Sequence, residues 1–123
     1  MAWKDIEDLE IYQLGMQIGD ATYQLVSNWD KFDKNTFGYQ LIRAVDSISA
    51  NISEGYGRFH YKEQRQFCYI SRGSLYETKT WLIKALERIP DDSECIQEIL
   101  ELLNTLHKKL NAYIKYIEKN IQA

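Results

Sequence analysis

The 123-residue chain contains one proline, two cysteines and two histidines, and it lacks long apolar runs. Scarce proline permits long helices. Cys68 and Cys95 fit neither a zinc site nor a C-x-x-C redox pair, so we expect two reduced thiols that pack as small apolar side chains. No run is long enough to span a bilayer, and the acidic start lacks the apolar stretch of a signal peptide. We therefore expect a cytoplasmic protein without membrane contact.

The sequence also lacks the residue combinations of common enzyme classes. It has no Gly-rich phosphate loop and none of the paired Glu-x-x-His motifs of di-metal bundles. His60 falls in a predicted turn, and His107 falls on the apolar row of the last helix, where we interpret it as a packed bundle histidine. We predict no catalytic residue, no metal site and no cofactor.

Charge is unevenly distributed around a net value of −3. Residues 1–35 carry 3 basic and 7 acidic side chains, residues 36–90 carry 8 and 5, and residues 91–123 carry 4 and 6. A basic middle between acidic ends is a weak indication of an anionic partner, and solvated helix faces often show such an imbalance.

Apolar residues recur every three or four positions along the chain, which predicts helices and no strands. The predicted helices extend from about Asp5 to Trp29, from Thr36 to Gly55 and from Tyr61 to Ile89, and a fourth helix, capped by Asp92 or Ser93, continues to the chain end. Asp33 or Asn35 is expected to cap the second helix, and Gly55 and Gly57 to end it in left-handed geometry. Short connections make successive helices antiparallel. The predicted fold is all-α: one up-down-up-down four-helix bundle domain spanning residues 1–123.

The first helix carries two apolar rows. The first, taken as its core row, comprises Leu9, Tyr12, Met16, Gly19, Tyr23 and Val26. The second comprises Ile11, Ile18 and Leu25 at seven-residue spacing. A bundle helix ordinarily buries one row. Either this helix is wedged deeply between two neighbours, or Ile11, Ile18 and Leu25 form a subunit interface.

The other three helices each show one inward row. These rows are Leu41, Val45, Ile48 and Ile52 in the second helix; Phe67, Ile70, Ser71, Ser74, Thr78, Leu82, Ala85 and Ile89 in the third; and Ile96, Leu100, Leu103, Leu106, Leu110, Ile114 and Ile117 in the fourth. The small residues Ser71, Gly73 and Ser74 are expected to allow a close approach of a neighbouring backbone.

Polar residues flank the inward rows of the second and third helices. They are Ser47, Asn51 and Glu54, followed by Ser74 and Glu77. Antiparallel pairing is expected to bring Glu54 near Arg65 and Glu77 near Arg43. We interpret the set as a structural polar network, because a bundle must satisfy the polar groups that it buries. A ligand site is the alternative.

One arc of the third helix, predicted to lie opposite the core, mixes aromatic and basic residues. It comprises Arg65, Tyr69, Arg72, Tyr76, Lys79 and Ile83, with Arg58 and Lys62 near its start. Tyrosine and arginine favour protein contacts, which makes Tyr69 and Tyr76 candidate oligomer contacts. The same residue types suit phosphate pairing and base stacking, which makes Arg58, Lys62, Arg65, Arg72 and Lys79 candidate nucleic-acid contacts.

Two segments resemble the signatures of a bacterial protein family. Residues 47–58 read S-I-S-A-N-I-S-E-G-Y-G-R and resemble S-I-P-S-N-I-A-E-G-x-G-R. Residues 72–77 read R-G-S-L-Y-E and resemble R-G-S-L-x-E, and the opening Leu9-Glu10-Ile11-Tyr12 resembles L-x-V-W. Ser49 stands where the family usually has proline, and Ser53 where it usually has alanine. The family is that of the ribosomal RNA intervening-sequence proteins, also called S23 ribosomal proteins.

The resemblance implies an up-down-up-down bundle assembled as a ring-like pentamer. The chain is also similar to the accessory variability determinant of diversity-generating retroelements, whose basic members bind nucleic acid and a reverse transcriptase. We therefore expect a non-enzymatic homo-oligomer that acts as an assembly or adaptor module. Its expected partners are copies of itself and RNA, DNA or a nucleic-acid enzyme. The alternative is a weak, salt-dependent RNA- or DNA-binding protein that uses the basic face around Arg58–Arg72.

Overall fold

The computed structural model describes residues 5–122 and the side chains of residues 5–121. In this range the chain forms four long helices and no strand: α1 (Glu10–Ser27), α2 (Tyr39–Tyr56), α3 (Tyr61–Arg88) and α4 (Ser93–Gln122). Each helix packs on the next in sequence, and α4 returns to α1. The predicted all-α four-helix bundle is confirmed. None of the described helices combines the length and apolar character needed to cross a membrane.

The buried face of α1 differs from the predicted one. Ile11, Ile18 and Leu25 are 3%, 0% and 5% exposed and belong to the core of this single chain, so their assignment to a subunit interface is wrong. Met16 and Tyr23, predicted to be core residues, are 43% and 61% exposed. The physical reason is the row of small residues beside the isoleucines. The glycine at position 15 lets Ser49 approach so closely that an added Cβ would lie 3.1 Å from the serine Cβ.

The second helix begins earlier than predicted. Asp30 is its N-cap, with its Oδ1 accepting a hydrogen bond from the Asp33 backbone N–H at 2.9 Å. An α-helical turn, Lys31–Asp33, and a π-helical segment, Lys34–Gly38, then lead without a break into α2. The predicted start at Thr36, capped by Asp33 or Asn35, is therefore wrong. Sequence periodicity assumes α-helical geometry, and a π-helical segment shifts that periodicity.

The inward rows of α2 and α4 are confirmed except for Leu100, which is half-buried. In α3 the row is rotated from the prediction. Ile70 is 44% exposed, whereas Cys68 and Leu75 are buried. The close backbone approach expected at Gly73 is also wrong, because Gly73 is exposed and no described residue lies within 4 Å of a Cβ added to it. Burial raises the pKa of the Cys68 thiol to about 11, which keeps it protonated and inert.

The α2–α3 connection uses glycine for close packing and not for left-handed geometry. No described residue has a positive φ, and Gly57, which ends α2, has φ −78°. The predicted left-handed cap is therefore wrong. Gly55 is buried, and a Cβ added there would lie 2.9 Å from the Phe67 Cβ and 3.2 Å from the Gln64 carbonyl oxygen. The absence of a side chain at Gly55 is what lets the two helices meet.

We predict that Gly55→Ala lowers the free energy of unfolding by roughly 1–3 kcal/mol, because the added methyl overpacks the helix contact. Gly57→Ala is the matched control: its Cβ would meet only ordinary contacts at 3.7 and 3.8 Å. Its φ suits alanine, so it should leave stability unchanged or raise it by about 0.4–1 kcal/mol. Urea unfolding of both variants measures the difference. Equal effects would contradict the close-packing explanation.

Candidate interaction surfaces

A chain of hydroxyl and amide groups joins α2 to α3. The Oγ atoms of Ser47 and Ser74 lie 2.9 Å apart, and the Asn51 amide donates to the Ser47 carbonyl at 2.8 Å and to its Oγ at 2.9 Å. Ser71, which is fully buried, donates to the Ile48 carbonyl at 2.8 Å. Along the interface between α2 and α3, Ser47 lies beside Ser74 and Gly55 lies beside Phe67. Residue numbers rise along one helix as they fall along the other, as antiparallel helices require. These bonds leave the polar groups satisfied and support the network interpretation for Ser47, Asn51 and Ser74.

Two predicted members lie outside this network. Glu54 is exposed and pairs with Arg58, with 2.7 Å between Oε1 and a guanidinium nitrogen. Glu77 is exposed and has no hydrogen bond or ion pair with any described residue. The expected approaches of Glu54 to Arg65 and of Glu77 to Arg43 do not form. Both carboxylates lie on the solvent side of the helix pair, because the small side chains of the network already fill the contact between the backbones.

We predict that Asn51→Ala lowers the free energy of unfolding by about 1 kcal/mol, because it removes two part-buried hydrogen bonds. The matched control Glu54→Ala removes only an exposed ion pair, which is worth about 0–1 kcal/mol and is screened by salt. Thermal melts at low and high salt distinguish the two variants. A larger loss for Glu54→Ala that persists at high salt would show that our assignment of the network is incorrect.

Three members of the aromatic–basic arc, Arg65, Tyr69 and Arg72, lie at the seam between α3 and α4, so only part of the arc lies opposite the core as predicted. Tyr69 is half-buried, and the guanidinium carbons of Arg72 and Arg65 lie 5.2 and 5.8 Å from its ring centroid. Arg72 donates to the Asn111 side-chain oxygen at 3.0 Å, and Arg65 lies 3.9 Å from Glu118. The α4 side chains thus hold these residues in place, which the sequence of α3 alone could not reveal.

The remaining candidate cations, on α3 and in the turn before it, differ in how many carboxylates they pair with. Arg58 is shared between Glu54 and Glu63, at 2.7 and 3.6 Å. Lys62 is exposed, and neither it nor Lys79 forms an ion pair among the described residues. Helix geometry places Arg65, Arg72 and Lys79, which are seven residues apart, in one line along α3 at intervals of roughly 10 Å. Arg58 and Lys62 lie at the beginning of that line.

His107 contacts the same seam from α4. Its ring meets Tyr76 edge-on, with 5.1 Å between the centroids. Burial lowers the pKa of His107 below the ordinary 6.5, and the positive charges of Lys79 and Arg72 lower it further. The imidazole is therefore neutral at pH 7, as expected of a packed bundle histidine. Tyr76 remains 53% exposed beside it and is still available as a contact residue.

These contacts define the class of the molecule: an α-helical bundle that presents exposed aromatic and cationic side chains along its helix seams. No described group of three or more His, Cys, Asp or Glu side chains is arranged to hold a metal ion. The two sequence segments that resembled family signatures, residues 47–58 and 72–77, lie on α2, its C-terminal turn and α3, the helix pair that the polar network joins.

The chain belongs to the 23S rRNA-intervening sequence protein family, whose model matches residues 7–112. It is also similar to the crystal structure, at 1.70 Å resolution, of a Bacteroides thetaiotaomicron protein of unknown function from the S23 ribosomal protein family. The TM-score is 0.75 at 21% identity, and the match covers 85% of this chain and 98% of the other, which supports the fold. A search of the curated proteins found no match. The resemblance to the retroelement determinant stays a prediction.

Proposed function

We propose that the protein is a non-enzymatic homo-oligomer, a ring-like pentamer, that acts as an assembly or adaptor module. The observation that carries this proposal is Gly73. Glycine inside a helix costs roughly 1 kcal/mol relative to alanine, and no contact with a described residue requires it at this position. A missing side chain on an exposed helix face suits a partner backbone that approaches closely.

The surroundings of Gly73 support the same proposal. Ile70, Tyr76 and Ile83 are exposed by 44%, 53% and 48% on the outward side of α3. Exposed apolar side chains around a glycine are typical of protein contact surfaces. On α1, the exposed Met16 and Tyr23 offer a second surface within the acidic N-terminal part of the chain. A contact between unlike surfaces of opposite charge is heterologous, and a heterologous contact forms a ring when the rotation between neighbouring copies closes.

We predict a mass close to five times 14.6 kDa by light scattering after gel filtration. Gly73→Leu should dissociate the ring and leave the helical circular dichroism unchanged, because the leucine side chain fits the open space of the isolated chain. The matched control is Gln97→Leu, which adds leucine to an exposed position of α4 and should leave the oligomer intact. A mass of 14.6 kDa for the unmodified protein at micromolar concentration would refute the proposal.

A second candidate function is RNA or DNA binding along the α3–α4 seam. Arg72 and Lys79 support it, because both face the seam and neither forms an ion pair with a described carboxylate. The half-buried Tyr69 between the arginines resembles the aromatic side chains on which bases stack. A ring repeats this surface, and repeated weak contacts act together.

We predict that binding to labelled RNA is weak, tolerant of sequence and steeply reduced by salt, because phosphate contacts dominate it. Replacing Arg72 or Lys79 with Gln should reduce the affinity and lower the salt slope by about 1 per lost phosphate contact. Lys31→Gln, at the other end of the bundle, is the control. Tight, salt-insensitive binding would contradict the mechanism. If no binding occurs at low salt, only the assembly function remains.

A further inference from the structure

A second cationic surface lies away from the seam, between the start of α2 and the C-terminal part of α3. A groove of about 420 Å³ runs there and is lined by the aromatic side chains of Tyr39 and Trp81, the amides of Asn35 and Gln40, and the cations Lys84 and Arg88. Its volume lies within the range of small-molecule sites, roughly 300–1,000 Å³. The π-helical segment Lys34–Gly38 forms one wall, and such segments occur frequently at functional sites.

The two cations in this groove are not engaged by carboxylates. Arg88 places its guanidinium carbon 4.9 Å from the Phe37 ring centroid, and it makes no hydrogen bond to another described residue. A guanidinium stacked on a ring keeps its in-plane N–H donors available for an anion. Lys84 lies one helical turn before Arg88, is exposed and forms no ion pair with the described residues. Burial raises the pKa of Asp33, and the nearby positive charge of Arg88 opposes that rise. The two side chains nevertheless form no ion pair.

One residue that lines the groove, Trp81, also carries a buried hydrogen-bond donor. The Nε1 of Trp81 is the one buried side-chain nitrogen or oxygen in the described residues without a hydrogen-bond partner. The indole of Trp29, by contrast, donates to Asp92 Oδ2 at 2.9 Å. Buried polar groups are usually satisfied, so an unpaired one needs an explanation. A groove that combines two cations with aromatic rings and side-chain amides is matched to a ligand that carries both an anionic group and a ring.

We propose that this groove binds a nucleotide, with its base against Tyr39 and Trp81 and its phosphate on Lys84 and Arg88. The rings offer stacking surfaces, and the amides of Asn35 and Gln40 can hydrogen-bond to the edge of a base. The phosphate, with several acceptor oxygens, pairs with both cations. A free mononucleotide and a nucleotide within RNA share this chemistry.

The test uses AMP as the probe on the full chain. Calorimetry measures affinity, and the indole ¹H–¹⁵N resonance of Trp81, assigned with Trp81→Phe, reports the location. We expect AMP to shift this resonance saturably and to leave that of Trp29 unchanged. Lys84→Gln and Arg88→Gln should each weaken binding about tenfold, as expected for a charged hydrogen bond. Lys108→Gln, which changes an exposed lysine of α4, is the matched control and should have no effect.

Adenosine and inorganic phosphate, each carrying half of the recognised chemistry, should bind at least about tenfold more weakly than AMP. An adenine oligoribonucleotide distinguishes a free mononucleotide from a nucleotide within RNA as the natural ligand. If it shifts the Trp81 resonance at lower concentration than AMP, the groove recognises a nucleotide within RNA; if not, it recognises the free molecule. The proposal is overturned if no probe moves the resonance, or if the shift survives in both Lys84→Gln and Arg88→Gln. Neither result affects the oligomer mass, so the assembly function is tested separately.

Discussion

The close approach of α2 and α3 is the constraint on which the rest of the bundle depends. Gly55 lets the Phe67 Cβ come within contact distance, and the Ser47–Ser74 hydroxyl pair holds the same two helices two turns away. A larger residue at Gly55 would clash with the Phe67 Cβ and crowd the Gln64 carbonyl oxygen unless the two helices moved apart. Since hydrogen bonds and packing specify one register, α3 cannot slide or rotate relative to α2.

That register decides which side chains of α3 are exposed. It turns Ser71, Leu75 and Thr78 into the bundle and leaves Gly73 on the outside. The signature segments of the family therefore serve two purposes. Their small residues join α2 to α3. Gly73, within the second segment, is different, because no described residue lies close enough to require a glycine there. This contrast connects the packing of the bundle with the proposal that another copy of the protein contacts α3.

The two cationic surfaces of α3 differ in their surroundings. Along the α3–α4 seam, Arg65 and Arg72 are held by Glu118 and Asn111, so part of their hydrogen-bonding capacity is already used. At the other surface, Lys84 and Arg88 face aromatic and amide side chains, with no ion pair among the described residues. The seam suits a long, repetitive anion held by several weak contacts. The groove suits a compact ligand that carries both a ring and an anionic group.

The sequence by itself determined the helix number, the antiparallel order and the core rows of α2 and α4, because a strong period of apolar residues needs only local geometry. It could not choose correctly between the two apolar rows of α1, since Met16 and Tyr23 have the spacing and the apolar character of core residues. Only the tertiary structure decided that choice, through the contact of Gly15 with Ser49. It also decided the earlier start of the second helix, the exposure of Glu54 and Glu77, and the groove at Trp81. Each of these depends on atoms far apart in the chain or on a local departure from α-helical geometry, and residue spacing records neither.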